Sequence, residues 1–430
     1  MKKRLLALAA ASLALSALAA PAQAADPIKI LFVGNSYTFG RADPVMSYNA
    51  AAVHDLTAGF TLTNPTGTNS YPAGTPGFGS FEPHPWGGVP GIFKKMTDEA
   101  GMAYDVSLST RNAASLRGQF LDTANSDWKL RENVATQKWD TVVLQEQSDA
   151  ALPAGRGKNA NLATFNAYAD QFERFIHNGA AQSYKESTLF GSLAACMATG
   201  LSQGSCNTTR TIAANPNASV NTKVYLEQSW ARPDMVEAHL ITKPDITSAD
   251  GRPIVDTSSA GGNATLYYDT LAGMTADLHD SFYGKAASNP NFAGVVPVGD
   301  AFQRAVDSGL AQGSGFYGAD GTFAETANAL NLWWLDRTHA SKYGSYLSAL
   351  TLFGSITGRD PLTLGVAEQA AADLGIDAAT ARTLQRVASV QLGFTAAVPE
   401  PQTLAMLLAG LGVVGLRLRP GKRLGCAPAR

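Results

Sequence analysis

Ile28-Lys29-Ile30-Leu31-Phe32-Val33-Gly34-Asn35-Ser36 is the stretch whose reading decides the fold. An apolar run broken only by Lys29 ends in glycine and small polar residues. That pattern predicts a buried strand over 28–33 with a turn at its carboxyl end. Four further runs of the same kind lie at 104–108, 139–144, 223–226 and 292–298. Between them, helices are predicted at 91–100, 162–177, 270–287, 300–307 and 342–357. The second of these carries Phe165, Tyr168, Phe172, Phe175 and Ile176 at helical spacing. Strands alternating with helices predict an α/β protein: a flavodoxin-like three-layer α/β/α sandwich with a central parallel sheet of about five strands, covered on both faces. Residues 40–90, rich in Gly, Pro, Asn and Thr, read as a long loop, and 181–222 and 241–265 as insertions. Residues 365–392 are Ala-rich and helical.

Ligands of an open parallel sheet sit beyond the carboxyl ends of its strands. Three predicted strands end in compact polar sequences: Gly34-Asn35-Ser36, Gln145-Glu146-Gln147-Ser148 and Glu227-Gln228-Ser229-Trp230. Singly each is ordinary turn chemistry; together they line one crevice. A fourth element, Trp333-Trp334-Leu335-Asp336-Arg337-Thr338-His339, precedes the helix predicted at 342–357. Asp-x-x-His brings a carboxylate and an imidazole together on one turn. A serine needs a histidine to become nucleophilic, and that histidine needs an acceptor to orient it. Taken alone, the Asp and His read as an ordinary helix start and a surface side chain.

The early Gly-Asn-Ser and the late Asp-x-x-His, in this order and at this separation, resemble the first and last sequence blocks of the SGNH (GDSL-like) hydrolases over about residues 28–357. The resemblance implies Ser36 as nucleophile, His339 as general base and Asp336 as its orienter, with no metal or organic cofactor. It also implies an oxyanion hole completed by a glycine N–H and an asparagine amide. The glycine block falls on Thr110-Arg111-Asn112-Ala113-Ala114-Ser115-Leu116, which has no glycine, and a backbone N–H of Ala113 or Ala114 takes the role. The asparagine block falls on Val143-Leu144-Gln145-Glu146-Gln147-Ser148, which resembles a bacterial subfamily with Leu-Gln-x-x-Ser there, and Gln145, in preference to Gln147, takes the role. Trp230 and Arg232 follow the fourth strand and are candidates either for the substrate cleft or for core packing. Trp86 and His84 are candidates for a sugar contact or, for the tryptophan, a lid over the core. Glu146 reads as part of its turn.

The ends differ from the middle. Lys2, Lys3 and Arg4, an apolar Leu/Ala run and Ala22-Gln23-Ala24 predict a signal peptide over 1–24. Val398-Pro399-Glu400-Pro401, an apolar stretch over 404–416 and the basic residues Arg417, Arg419, Lys422 and Arg423 resemble the PEP-CTERM sorting signal of Gram-negative bacteria. That resemblance implies processing by exosortase-type machinery. The expected organisation is therefore a signal at 1–24, a hydrolase-like domain at 25–362, a helical extension and linker at 363–397, and a sorting signal at 398–430. Export to the periplasm, cell surface or extracellular matrix is expected, with membrane contact only through the two ends. Export favours a disulfide between Cys196 and Cys206; Cys426 lies in the tail. With 33 basic against 35 acidic side chains and a net charge of −2, nothing attracts nucleic acid. The expected activity is ester hydrolysis, with an acetylated extracellular or cell-surface polysaccharide as substrate. The alternatives are a lipase- or thioesterase-type hydrolase, an acyltransferase, or a catalytically degraded glycan-binding or matrix protein.

Overall fold

The computed structural model describes residues 26–41, 44–57, 85–122, 129–240, 262–318 and 323–394. The segments expected as signal peptide and sorting tail lie outside these residues. So do His84, Cys426 and most of the stretches expected as loop at 40–90 and insertion at 241–265.

The main sheet contains β1 (Ile28–Gly34), β2 (His54–Asp55), β3 (Tyr104–Thr110), β4 (Thr141–Gln145), β7 (Lys223–Glu227) and β8 (Phe292–Val296). Its order is β2-β3-β1-β4-β7-β8, and every pairing is parallel. Five of these strands are the five expected runs. The sixth, β2, is a two-residue edge strand inside the stretch read as loop. A separate antiparallel pair, β5 (Gln182–Lys185) and β6 (Thr209–Ile212), lies inside the expected insertion at 181–222.

Without β2, the five long strands run 2-1-3-4-5 in chain order, the doubly wound flavodoxin-like arrangement. The chain steps from β1 to β3 on one side, then returns to place β4 on the other. The order reverses between β1 and β4, and at such a point the two connections diverge and leave a crevice. In register, Val33 faces Ser109 of β3 and Leu144 of β4, so the polar ends of all three strands emerge together.

Residues Ile30–Val33 of β1 are buried almost completely, although successive side chains point to opposite faces. Both faces are therefore covered. On one, α2 (Gly88–Glu99) packs against α11 (Lys342–Thr357), and Phe93 meets Phe32 of the sheet. On the other, α3 (Leu116–Leu121) packs against α5 (Leu162–His177) through Phe120 and Phe172, and Phe165 meets Phe282 of α9 (Leu271–Ser288). Helix α2 begins three residues earlier than expected. Pro90 sits in its first turn, where a missing N–H costs nothing. Helix α10 (Val298–Asp307) likewise begins two residues early, directly after Pro297.

The Ala-rich stretch forms α12 (Gln369–Asp373) and α13 (Ala378–Gln391). Both join the helical layer: α13 packs on α11, and Tyr346 donates to Glu368. Cys196 and Cys206 form the expected disulfide, with Cα atoms 6.0 Å apart. It links α7 (Leu193–Ala198) to α8 (Gln203–Asn207), the helices that follow α6 (Glu186–Leu189) between β5 and β6. Glu186 anchors this excursion to the core, accepting from Arg117, Arg210 and Tyr168.

Candidate active site

β1 delivers its last residue into a very tight space. A Cβ on Gly34 would lie 2.0 Å from Thr38 Oγ1 and 2.8 Å from Gln145 Oε1, so only glycine lets the chain pass. Asn35 then caps the four-residue turn α1 (Ser36–Phe39), its Oδ1 accepting the Tyr37 N–H at 3.0 Å. Its Nδ2 donates to the carbonyl of Ala114 at 3.0 Å, tying this turn to the loop after β3. Ser36 is the first residue of the turn, where helix geometry leaves a backbone N–H without an internal acceptor.

Three hundred residues later the chain returns beside it. Trp333 pairs with Ala340 in a short antiparallel bridge, and Trp334 N–H donates to the His339 carbonyl at 2.7 Å. Arg337 makes the tip possible. It takes a left-handed φ of 57°, is fully buried, and donates to the carbonyls of Ala324 and Phe316. The tip folds back so that Asp336 Oδ1 accepts the N–H groups of Thr338 and His339 at 3.0 and 2.9 Å. Its Oδ2 meets His339 Nδ1 at 2.5 Å, and His339 Nε2 meets Ser36 Oγ at 2.8 Å.

Burial alone would push the Asp336 carboxyl up. The charge and hydrogen bond of His339 and the two backbone N–H groups outweigh it and hold the carboxyl down at about 2. An ionised Asp336 can only accept. Nδ1 of His339 therefore carries the proton and Nε2 is left to accept from Ser36. Such a chain can draw a proton from a serine hydroxyl as it attacks.

Behind His339 stands an aromatic wall. The Tyr37 ring stacks on Trp230 at 3.9 Å, and Trp230 stacks on Phe302 at 5.0 Å. Tyr37 also meets the His339 ring edge-on at 5.7 Å. Tyr37 Oη and Trp230 Nε1 both donate to the Thr338 carbonyl, at 2.9 and 3.1 Å. Trp230 is only 1% exposed, so the cleft expectation gives way to its packing alternative. Arg232 is likewise engaged within the protein. It donates to Asp234, to Ser148 Oγ and to Thr338 Oγ1, so it braces the loop of the Asp–His pair. Trp86 is buried against Phe39 at 3.6 Å and is a core lid, not a sugar contact.

On the other side of Ser36, Ala113 occupies the block where glycine was expected. It is exposed and adopts φ 55°, the left-handed region that glycine favours. Its backbone therefore imitates the missing residue. Gln145 does not match its expected use. Its Oε1 accepts from Asn35 N–H at 3.0 Å and Thr38 Oγ1 at 3.3 Å, and its Nε2 donates to the Glu146 carbonyl. The side chain lies behind the Ser36 turn and supports it.

Glu146, read from sequence as part of a turn, proves to hold two loops together on this side of Ser36. Its Oε1 accepts the N–H of Leu116 at 3.0 Å and of Gln147 at 2.7 Å, joining the loops after β3 and β4. Burial pushes its carboxyl up to about 7 against those two donors. The only sequence signal for this was a carboxylate placed directly at a strand's carboxyl end. Arg337 and Tyr37 gave no comparable signal. Among the described residues no group of three or more His, Cys, Asp or Glu converges as metal ligands.

No curated protein matches the chain. Among solved structures it is similar to a DUF4886 family protein from Bacteroides uniformis, at 12% identity and TM-score 0.41, covering 88% of this chain and 99% of that one. It is similar to a protein assigned to the SGNH hydrolases from Slackia heliotrinireducens, at 14% identity and TM-score 0.32, covering 77% of this chain and 100% of that one. It is also similar to a phospholipase A1 from Streptomyces albidoflavus, at 14% identity and TM-score 0.31, covering 77% of this chain and 99% of that one. Among the described residues no helix is long and apolar enough to cross a membrane. At its C-terminus, residues 397–423 match the PEP-CTERM protein-sorting motif, the mark of an exported protein associated with the cell envelope.

Proposed function

We propose that the protein is an exported serine esterase that removes acetyl groups from an extracellular or cell-surface polysaccharide. The observation that carries this reading is the unbroken chain Ser36 Oγ–His339 Nε2 at 2.8 Å and His339 Nδ1–Asp336 Oδ2 at 2.5 Å, at the switch point of the sheet. Ser36 Oγ attacks the ester carbonyl while His339 Nε2 takes its proton, and the carbonyl electrons move onto oxygen. The N–H groups of Ser36 and Ala113 are the oxyanion donors. The C–O bond to the alcohol then breaks, and His339 passes its proton to the departing alkoxide. Water, deprotonated by the same imidazole, attacks the acyl-enzyme and releases acetate and free Ser36.

The polysaccharide half of the reading is supported by the sorting motif, which indicates export and association with the cell envelope. The test is acetate release from acetylated xylan and hydrolysis of p-nitrophenyl acetate by wild type and Ser36→Ala. Loss of both activities in the mutant, by roughly 1,000-fold or more, is the expected result. A wild type that releases long acyl chains but no acetate would sink the acetyl assignment. A wild type that does not react with a fluorophosphonate probe would sink the esterase.

A further inference from the structure

Trp334 stands apart from the other described tryptophans. Among the described residues Trp86, Trp139, Trp230 and Trp333 are buried. Trp334 keeps part of its surface in solvent, and its indole stacks on no ring of a described residue. Leaving part of a flat apolar ring in water forgoes some of the burial that favours such rings in the interior.

The short antiparallel bridge sets the face on which this residue lies. Trp333 faces Ala340, with Trp334 N–H donating to the His339 carbonyl at 2.7 Å and Ser341 N–H to the Leu332 carbonyl at 2.8 Å. Successive side chains of extended segments alternate in direction, and directly opposed residues share a face. Trp333 turns inward, its Nε1 donating to the Ala231 carbonyl at 2.9 Å. Trp334 therefore lies on the outer face beside its opposed residue, His339, the residue that reaches Ser36. Leu335, 40% exposed, extends the apolar surface.

In the reaction proposed above, the oxyanion lies toward Ser36 N–H and Ala113, and the alcohol departs on the side of His339 Nε2. We infer that Trp334 is the platform for the alcohol half of the substrate, taking the C–H face of a pyranose ring against its indole. This inference rests on the esterase reading and makes Trp334 a specificity-determining residue. It requires no rearrangement of Ser36, His339 or Asp336. The ring positions the ester oxygen beside Nε2, while a small acyclic alcohol leaves the indole unused.

The test compares kcat/KM for an acetylated methyl xylopyranoside with kcat/KM for ethyl acetate, in the full chain and in W334A and W334F. The expected result is that the ratio of the two falls about tenfold in W334A and is largely restored in W334F. An unchanged ratio in W334A, or an equal loss on both esters, overturns the platform and leaves the esterase standing. A wild type inactive on both esters overturns the esterase reading and the platform together.

Discussion

Asp336 keeps its carboxylate because His339 and two backbone amides offset the cost of burying it. That balance predicts a separation of chemistry from loop shape at one residue. In Asp336→Asn the side-chain oxygen still accepts the amides of Thr338 and His339, so the loop keeps its shape. The imidazole, however, loses the acceptor that fixes its proton on Nδ1. The expected loss in kcat is on the order of 10,000-fold on p-nitrophenyl acetate, with circular dichroism unchanged. A loss of only a few-fold would mean that His339 is oriented by something else. Because the folded pKa of Asp336 lies below its ordinary value of 3.8, the stability it contributes is complete above about pH 4. That contribution is lost as pH falls through 2. Any acid decline in rate between pH 4 and 7 therefore has another source. At this scale the sequence was legible wherever short motifs name the partners, as for Ser36, Asp336 and His339, which meet in one hydrogen-bonded chain. It was illegible wherever a role depends on a distant partner. Tyr37 acts through Thr338, and Trp230 reads from sequence equally as a cleft or a core residue because nothing local shows that Phe302 and Tyr37 enclose it.

The loop between β3 and α3 illustrates the scale of the element. It is suspended from two anchors, Asn35 Nδ2 on the Ala114 carbonyl and Glu146 Oε1 on the Leu116 N–H. Ala113 between them pays for its left-handed backbone with steric strain, and its exposed methyl packs on little. Ala113→Gly is expected to raise stability by about 0.5–1 kcal/mol in urea unfolding without lowering kcat. A drop in stability would show that the methyl packs better than its exposure suggests. Glu146 gives a complementary prediction. Glu146→Gln keeps an oxygen for Leu116 and Gln147, whereas Glu146→Ala leaves both N–H groups without it. The alanine variant is expected to lose at least about tenfold more in kcat than the glutamine variant, since each unpaired buried donor costs about 1–3 kcal/mol. Equal effects would reduce Glu146 to a space-filling residue. Strands were legible as elements because a parallel strand buried on both faces is a continuous apolar run. His54–Asp55 was not, because two polar residues carry no period; they become a strand only by pairing with Ser107 and Leu108.

For the whole molecule, the sheet buries two carboxyls that prefer to be neutral. Burial raises Glu146 to about 7 and Glu227, at the end of β7 opposite Gln145, to about 8, both from 4.5. Below pH 4.5 both are protonated, folded or unfolded. Between 4.5 and 8 the unfolded chain releases these protons first, so each contribution to stability falls as pH rises and levels off above the folded value. The wild type is expected to lose on the order of 1–3 kcal/mol between pH 5 and 8 from Glu227 alone, and Glu227→Gln to flatten that slope. Urea midpoints at the two pH values check this, and parallel slopes for mutant and wild type would refute it. The disulfide acts on a smaller part. It closes a short loop in the excursion between β5 and β6, which Glu186 also anchors to the core. Reduction is expected to speed proteolysis between residues 190 and 208 while leaving ester hydrolysis intact, because none of the Ser36 contacts passes through it.

Length, alternation of strand and helix, and the polar ends of three strands were enough to set out a doubly wound parallel sheet with its crevice beside Ser36. These signals are local: hydrophobic period and turn chemistry are written in neighbouring residues. The C-terminal sorting motif was equally readable, being a contiguous pattern. Only the tertiary structure decided that Gln145 supports the serine turn, that Glu146 ties two loops, that Trp230 is a wall and that Trp334, among the described tryptophans, keeps part of its surface in solvent. Each of these depends on which side chain from a remote segment occupies the adjacent space. Register and packing settle that choice, and no short stretch of sequence contains it.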